Sequence, residues 1–115
     1  VRVGLNFHVG IGGTRLTPAQ RQKLILARSL IKRPDLMIVA DGLSSVDPAT
    51  LARIVERVVE EFRGRSLVWL VQLAELAARF DRVVVMRSGK IVKSGTFEEL
   101  NGSGHGLANL IEDKA

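Results

Sequence analysis

The amino-acid sequence predicts an α/β fold with mainly parallel, buried strands, flanking helices and a C-terminal β-hairpin. Helix-like and strand-like segments alternate over most of the chain, a pattern typical of parallel sheets built through right-handed crossovers. The segment 36–40 is a continuous apolar run, which is typical of a strand buried on both faces. The segments 82–86 and 90–94 flank an Arg-Ser-Gly turn, and this arrangement predicts the hairpin.

The composition limits the number of domains, the kinds of cysteine-based site and the kinds of partner that this chain can have. The chain has 115 residues, of which 46% are hydrophobic, so it forms one domain at most. It contains no cysteine, which excludes disulfides, thiolate zinc sites and a thiol nucleophile. The net charge of +5 suits anionic partners such as a nucleotide, a nucleic acid or a lipid surface, although a solvated basic face explains the same charge. His8 and His105 have no third ligand at metal spacing, so no metal site is predicted.

The first helix is predicted to run from Pro18 to about Lys32. Thr17 can cap its first turn, Pro18 suits the first helical position, and Gln20 completes a capping box. Pro34 ends the helix. The apolar positions at helical spacing predict one buried face, made of Leu24, Ala27, Leu30 and Ile31. The cations of this segment form either a solvated face or a contact for phosphate or acidic lipid, and they are Arg21, Lys23, Lys32 and Arg33.

The central strand leads directly into Asp41, with Gly42 after it. Asp-Gly is a turn signal, but open α/β sheets also bind their ligands at the carboxyl ends of their strands. Asp41 is therefore either a turn residue or a functional carboxylate. A second helix is predicted from Ala49 to about Phe62, with Asp47 as its cap.

The remaining elements are shorter. A second buried strand is predicted over 66–72 and ends at Gln72. It is followed, in order, by a short helix over 74–79, the two hairpin strands over 82–86 and 90–94, a helical stretch capped by Thr96, a flexible segment over 102–106, and a last helix over 107–112. If the two buried strands are neighbours, Asp41 and Gln72 face one crevice.

Several of these motifs stand in a known order. The segments 16–23 and 27–30, the strand that ends at Asp41, the segment 44–48 and the run 83–100 resemble the carboxyl-terminal part of the nucleotide-binding domain of exporter-type ABC transporters. The resemblance implies that residues 1–115 form a single partial domain with a partial P-loop NTPase-like fold. It also implies ATP and Mg²⁺ held together with another nucleotide-binding domain, beside the transmembrane domain of a transporter at the cytoplasmic face of a membrane, with no nucleic acid partner.

The phosphate-binding loop of that family is not found within these residues. Neither the segment 10–13 nor Gly89-Lys90 matches the pattern Gly-x-x-x-x-Gly-Lys-[Ser/Thr]. In the family this loop precedes the motifs named above, so we expect the chain to hold ATP and Mg²⁺ only through a partner domain.

The first motif corresponds to the family's signature loop, LSGGQ, which contacts the γ-phosphate of nucleotide held by the partner domain. The resemblance implies that Thr17, Ala19 and Gln20 lie at that phosphate. Thr17 keeps a hydroxyl, but Pro18 lacks an N–H and Ala19 adds a methyl group. The capping box explains the same residues equally well.

The catalytic positions of the family also differ here. Ala40 falls at the Walker B aspartate, which holds Mg²⁺, and Asp41 at the glutamate that activates water; a methyl group cannot hold a metal, and Asp41 is one methylene shorter. Another register of the motif makes Asp41 the metal ligand. It then places Gly42, which has no side chain, at the position of the catalytic base. Gln72 falls at the switch histidine and is either a phosphate contact or a polar strand end. Ser45 and Asp47 match the loop that crosses the domain interface, although Asp47 has its own explanation as a helix cap.

Taken together, these residues predict a degenerate ATP-binding domain with weak or absent ATP hydrolysis, in which Asp41 is a vestigial catalytic carboxylate. An alternative of another class is a non-catalytic interaction module of the same fold, which binds a partner through its basic face or an open sheet edge. A third hypothesis, a DNA-handling relative, suits the basic charge, but the transporter-like segment 95–100 argues against it.

Overall fold

The computed structural model describes residues 4–40 and 42–102. Asp41, His105 and the predicted helix over 107–112 lie outside the described residues. The elements follow the predicted order and confirm the α/β class. They are α1 (Pro18–Ile31), β1 (Leu36–Val39), α2 (Pro48–Glu61), β2 (Ser66–Trp69), β3 (Val83–Arg87), β4 (Lys90–Gly95) and α3 (Phe97–Asn101), with 3-10 turns at Ile11–Gly13 and Ala74–Arg79.

Each described α-helix begins directly after the residue that the sequence predicts as its cap. The Gln20 amide donates to the Thr17 hydroxyl at 3.1 Å, and the Thr17 amide donates to the Gln20 side chain at 2.9 Å. The Thr50 amide donates to the Asp47 carboxylate at 3.0 Å at the start of α2. These bonds satisfy amide groups that a helix leaves without partners in its first turn. The local sequence therefore sets where the helices begin.

The strands form two separate two-stranded sheets in the described part of the chain. β1 pairs with β2 in parallel, from Leu36 opposite Ser66 to Val39 opposite Trp69. β3 pairs with β4 in antiparallel fashion, around a turn with left-handed φ angles of 52° at Ser88 and 77° at Gly89. The predicted mainly parallel sheet is thus reduced to one parallel pair. Parallel neighbours usually need a crossover helix, whereas the connection 70–82 contains only a 3-10 turn.

The prediction that β1 is buried on both faces is wrong for the described residues. Met37 and Val39 are buried, but Leu36 is 53% exposed and Ile38 is 65% exposed. Val68 on β2 is 55% exposed. The reason is that α1 and α2 both pack against the face that carries Met37 and Val39. No described element covers the opposite face.

Among the described residues, two clusters of buried hydrophobic side chains are packed together. In the first, Met37 and Val39 of β1 pack with Val58 and Phe62, and with partly buried side chains of both helices and of β2. The second joins Ala77, Val85 and Leu100 beneath the hairpin. The sheet that carries the candidate site therefore rests on the first cluster.

The predicted buried face of α1 is also wrong in part. Leu26 and Leu30 pack against the first cluster, whereas Leu24 is 49% exposed and Ile31 is 80% exposed. The helix carries apolar side chains on more than one side, so periodicity alone cannot choose among them. Packing against β1 makes that choice.

Candidate functional site

A cleft of about 290 Å³ lies at the carboxyl ends of β1 and β2. It is lined by residues of the loop 42–48 and of the segment 69–73, together with Leu51 and Leu76. Most of the lining is apolar, and the side chains of Ser44 and Gln72 supply polar groups. The cleft occupies the edge of a parallel sheet at which α/β proteins bind ligands.

Gln72 lies three residues beyond the end of β2, because the strand ends at Trp69 rather than at Gln72 as predicted. One further ladder bond continues past the strand, from the Leu70 amide to the Val39 carbonyl at 2.8 Å. The Gln72 side chain is exposed and lines the cleft. Its amide can donate a hydrogen bond to an anion but cannot accept a proton.

The loop between β1 and α2 has buried ends and an exposed tip. Leu43 and Val46 are buried, and the Val46 amide donates to the Leu43 carbonyl at 3.1 Å. Ser44 and Ser45 between them are exposed. The structure therefore presents Ser45, a predicted interface residue, at the surface beside the cleft.

Sequence reasoning missed Gln22, the residue of α1 that contacts this loop. The Ser45 amide donates to the Gln22 carbonyl oxygen at 2.9 Å, and the Gln22 amide group donates to the Ser44 and Ser45 hydroxyls at 3.3 and 3.5 Å. Gln22 precedes Leu26 and Leu30 by four and eight residues and so shares their helix face. A polar residue on the same helix face as Leu26 and Leu30 was the sequence signal that could have indicated Gln22.

The predicted phosphate-contacting turn lies in the same half of α1. Thr17 and Gln20 engage one another in the capping box, and Ala19 is half-buried in the first turn. Gln22 lies five residues beyond Thr17, which corresponds to about 7.5 Å along a helix axis. The structure thus links α1, just beyond its first turn, to the loop that carries Ser45 through the Gln22 side chain.

Asp47 lies at the far end of the loop and acts as the cap of α2. The hydrogen bond from the Thr50 amide holds the pKa of the Asp47 carboxyl below its usual value, and the positive charge of Lys23 contributes in the same direction. The N-cap role that the sequence predicts for Asp47 is present, and the interface role remains a prediction.

We expect this carboxylate to make stability depend on pH. Because its folded pKa lies below its unfolded pKa of about 4, it stabilises the folded chain above that value. The contribution is lost as the pH falls through the folded pKa. Urea unfolding of the chain and of Asp47→Asn, which caps without titrating, should give a difference in unfolding free energy that shrinks on acidification. A difference that is the same at every pH would contradict this.

Ala40, the described residue that follows β1, has no side-chain oxygen to offer to Mg²⁺. Ala40 is exposed and lines a smaller cavity of about 210 Å³ between α1 and β1, together with Gln22 and Gly42. Within residues 4–40 and 42–102, no group of three or more His, Asp or Glu side chains could hold a metal ion. Mg²⁺ prefers carboxylate and water oxygens, which the Ala40 methyl group cannot replace.

None of the described helices is long and apolar enough to span a membrane.

Comparison with known proteins identifies relatives over most of the chain, although no family model matches it. The ABC-type transporter kk1G of Curvularia clavata is 36% identical over 105 residues, which are 90% of this chain and 8% of that protein. The probable multidrug resistance ABC transporter ATP-binding/permease protein YheI of Bacillus subtilis is 34% identical over 97 residues, 84% of this chain and 17% of that protein.

A third relative is the heterocyst differentiation ATP-binding protein HepA of a Nostoc species. It is 32% identical over 97 residues, which are 84% of this chain and 16% of that protein. The chain therefore spans less than a fifth of the length of each of these three relatives.

Proposed function

This chain is homologous to a portion of ABC transporter ATP-binding proteins, and on that premise we propose that residues 1–115 form part of an ABC-type nucleotide-binding domain with a partial P-loop NTPase-like fold. The observation that carries the proposal is the link between α1 and the loop after β1. Its bond from the Ser45 amide to Gln22 at 2.9 Å puts two motifs that are far apart in sequence beside the same sheet edge. That arrangement supports a nucleotide-related role for both motifs.

In this proposal the chain pairs with another nucleotide-binding domain and contributes one side of a shared ATP site. Thr17 offers a hydroxyl at the start of α1, and Gln72 offers an amide in the cleft. Both groups can hydrogen-bond to phosphate oxygens. Because Ala40 has no oxygen ligand at the position where the family binds the metal, we assign Mg²⁺ to the partner domain.

Hydrolysis at this chain's own positions is proposed to be weak or absent. Ala40 supplies no oxygen at the metal position, and Gln72 cannot take up a proton at the switch position. Asp41 is a shortened carboxylate at the base position. A single acid–base group typically contributes about 10²–10⁴-fold to a rate, so the combined replacements should cost several orders of magnitude.

The proposed setting is the cytoplasmic face of a membrane, beside the transmembrane domain of a transporter and without nucleic acid. It is supported by relatives that are named ATP-binding/permease proteins.

ATP turnover by the purified chain tests the catalytic part of the proposal. We expect no turnover above background, and Asp41→Asn should leave the measured rate unchanged. Measurable turnover that Asp41→Asn abolishes would show that the carboxylate is catalytic and would overturn this part.

Solution mass with and without ATP-Mg²⁺ tests the pairing. We expect the purified chain to join an added nucleotide-binding domain that carries its own phosphate-binding loop, and to do so only when nucleotide is present. A mass that does not respond to nucleotide would be evidence against a shared ATP site.

A second candidate function is a non-catalytic interaction module of the same fold. It is favoured by the apolar face formed by Leu36, Ile38 and Val68, which no described element covers. Both outer edges of the β1–β2 pair are also unpaired among the described residues. Such edges tend to pair with another chain. Tight self-association that ignores ATP-Mg²⁺ would favour this module over the nucleotide-binding role.

A further inference from the structure

The Gln22 side chain holds the tip of the loop 43–46 from outside the loop. Its carbonyl oxygen accepts the Ser45 amide at 2.9 Å, and its amide group donates to the Ser44 hydroxyl at 3.3 Å. A third bond to the Ser45 hydroxyl is longer, at 3.5 Å. The carbonyl oxygen and the NH₂ group of Gln22 therefore both form hydrogen bonds with adjacent loop residues.

A further observation shows that α1 and this loop lie close together. Gln22 lines the cavity between α1 and β1 together with Ala40, Gly42 and Leu43. The buried side chains of Leu43 and Val46 anchor the ends of the loop in the interior. The exposed tip at Ser44 and Ser45 instead relies on polar contacts to α1.

We propose that Gln22 is a positioning residue that joins the first turn of α1 and the tip of the loop 43–46 into one rigid unit. The consequence rests on the proposed function, in which the Thr17 turn faces the nucleotide and Ser45 faces the partner domain. A nucleotide contact that displaces the start of α1 then also displaces Ser45. Gln22 thereby couples nucleotide binding to domain pairing without touching the nucleotide itself.

The first test measures hydrogen exchange of the Ser45 amide in the purified chain. Gln22→Met removes both polar groups at similar volume and should accelerate exchange by about 10-fold, the effect of losing one net hydrogen bond. Gln22→Glu keeps an acceptor oxygen and should stay within about twofold of the unchanged chain. Should Gln22→Met fail to fold, Gln22→Ser replaces it, because the serine side chain is too short to reach the loop. The same acceleration of Ser45 exchange is expected.

The matched control is Gln72→Met, which makes the same substitution at an exposed glutamine beside the same loop. It should leave the exchange of the Ser45 amide unchanged. Exchange that is unaffected by Gln22→Met would overturn the proposal. So would exchange that rises as much in Gln22→Glu as in Gln22→Met, because the acceptor oxygen that Glu keeps would then not protect the Ser45 amide.

The second test measures how strongly the same variants associate, in the presence of ATP, with an added nucleotide-binding domain that carries its own phosphate-binding loop. We expect Gln22→Met to weaken this association several-fold and Gln22→Glu to retain it. If exchange responds but association never depends on ATP even in the unchanged chain, the positioning role stands and the proposed function fails. If association depends on ATP and is the same in Gln22→Met, the coupling is overturned.

Discussion

Met37→Ala should lower the free energy of unfolding by about 2–5 kcal/mol, the range for removing a buried methionine side chain. Met37 is 6% exposed and packs in the first core cluster with Val58 and Phe62. Ile38, the next residue of β1, is 65% exposed on the opposite face. Ile38→Ala should therefore cost less than about 1 kcal/mol. Neighbouring positions on one strand should differ because only one face of the sheet is covered.

Urea unfolding of the two variants measures this difference, and each is compared with the unchanged chain at the same protein concentration. Equal and large losses for both substitutions would mean that the face of Ile38 is also buried in solution, through self-association or another cover. Repeating the measurement over a range of chain concentrations separates those two cases, since self-association makes stability depend on concentration.

Phe62→Ala should have an effect at least as large, about 3–5 kcal/mol. Phe62 is 3% exposed at the end of α2, where it packs against Met37 and Val39. The Arg65 guanidinium also lies over its ring, at 4.2 Å from the centroid. Since whole domains are stable by only about 5–15 kcal/mol, this substitution should remove a large share of the stability.

The single tryptophan reports on the same cluster, because Trp69 packs against it from β2. Unfolding followed by Trp69 fluorescence should show a lower denaturant midpoint for Phe62→Ala. The control is Phe7→Ala, since Phe7 is 37% exposed and belongs to neither cluster. A midpoint shift for Phe62→Ala no larger than that for Phe7→Ala would mean that Phe62 does not support the core.

The helix and hairpin positions could be predicted because their signals are local. Thr17 and Asp47 cap helices through contacts with residues three positions away, and Ser88 and Gly89 form a turn between adjacent strands. Such contacts depend on short segments of chain, so the sequence of those segments is enough to indicate them. The second strand shows the limit, because Gln72 was predicted as its end and lies outside it.

The sequence indicated which residues belong to the candidate site, but it did not indicate the hydrogen bonds between them. Motif order indicated Thr17, Ser45 and Gln72, and the structure brings Ser44 and Gln72 to one cleft at the end of the sheet. Gln22 was missed because its partners lie 22 and 23 residues away in the chain. The predicted roles of all these residues at a nucleotide remain predictions, and the residues are Thr17, Ala19, Gln20, Ser45, Asp47, Gln72 and Asp41.

By itself, the sequence determined the α/β class, the element order, the helix caps and the resemblance to ABC-type domains. Each of these depends on local patterns or on the order of motifs. Only the tertiary structure decided that Leu26 joins Leu30 at the core while Leu24 and Ile31 stay exposed, and that one face of β1 is covered. An apolar side chain loses contact with water only where a neighbouring element covers it, and that neighbour is chosen by the packing of the whole chain.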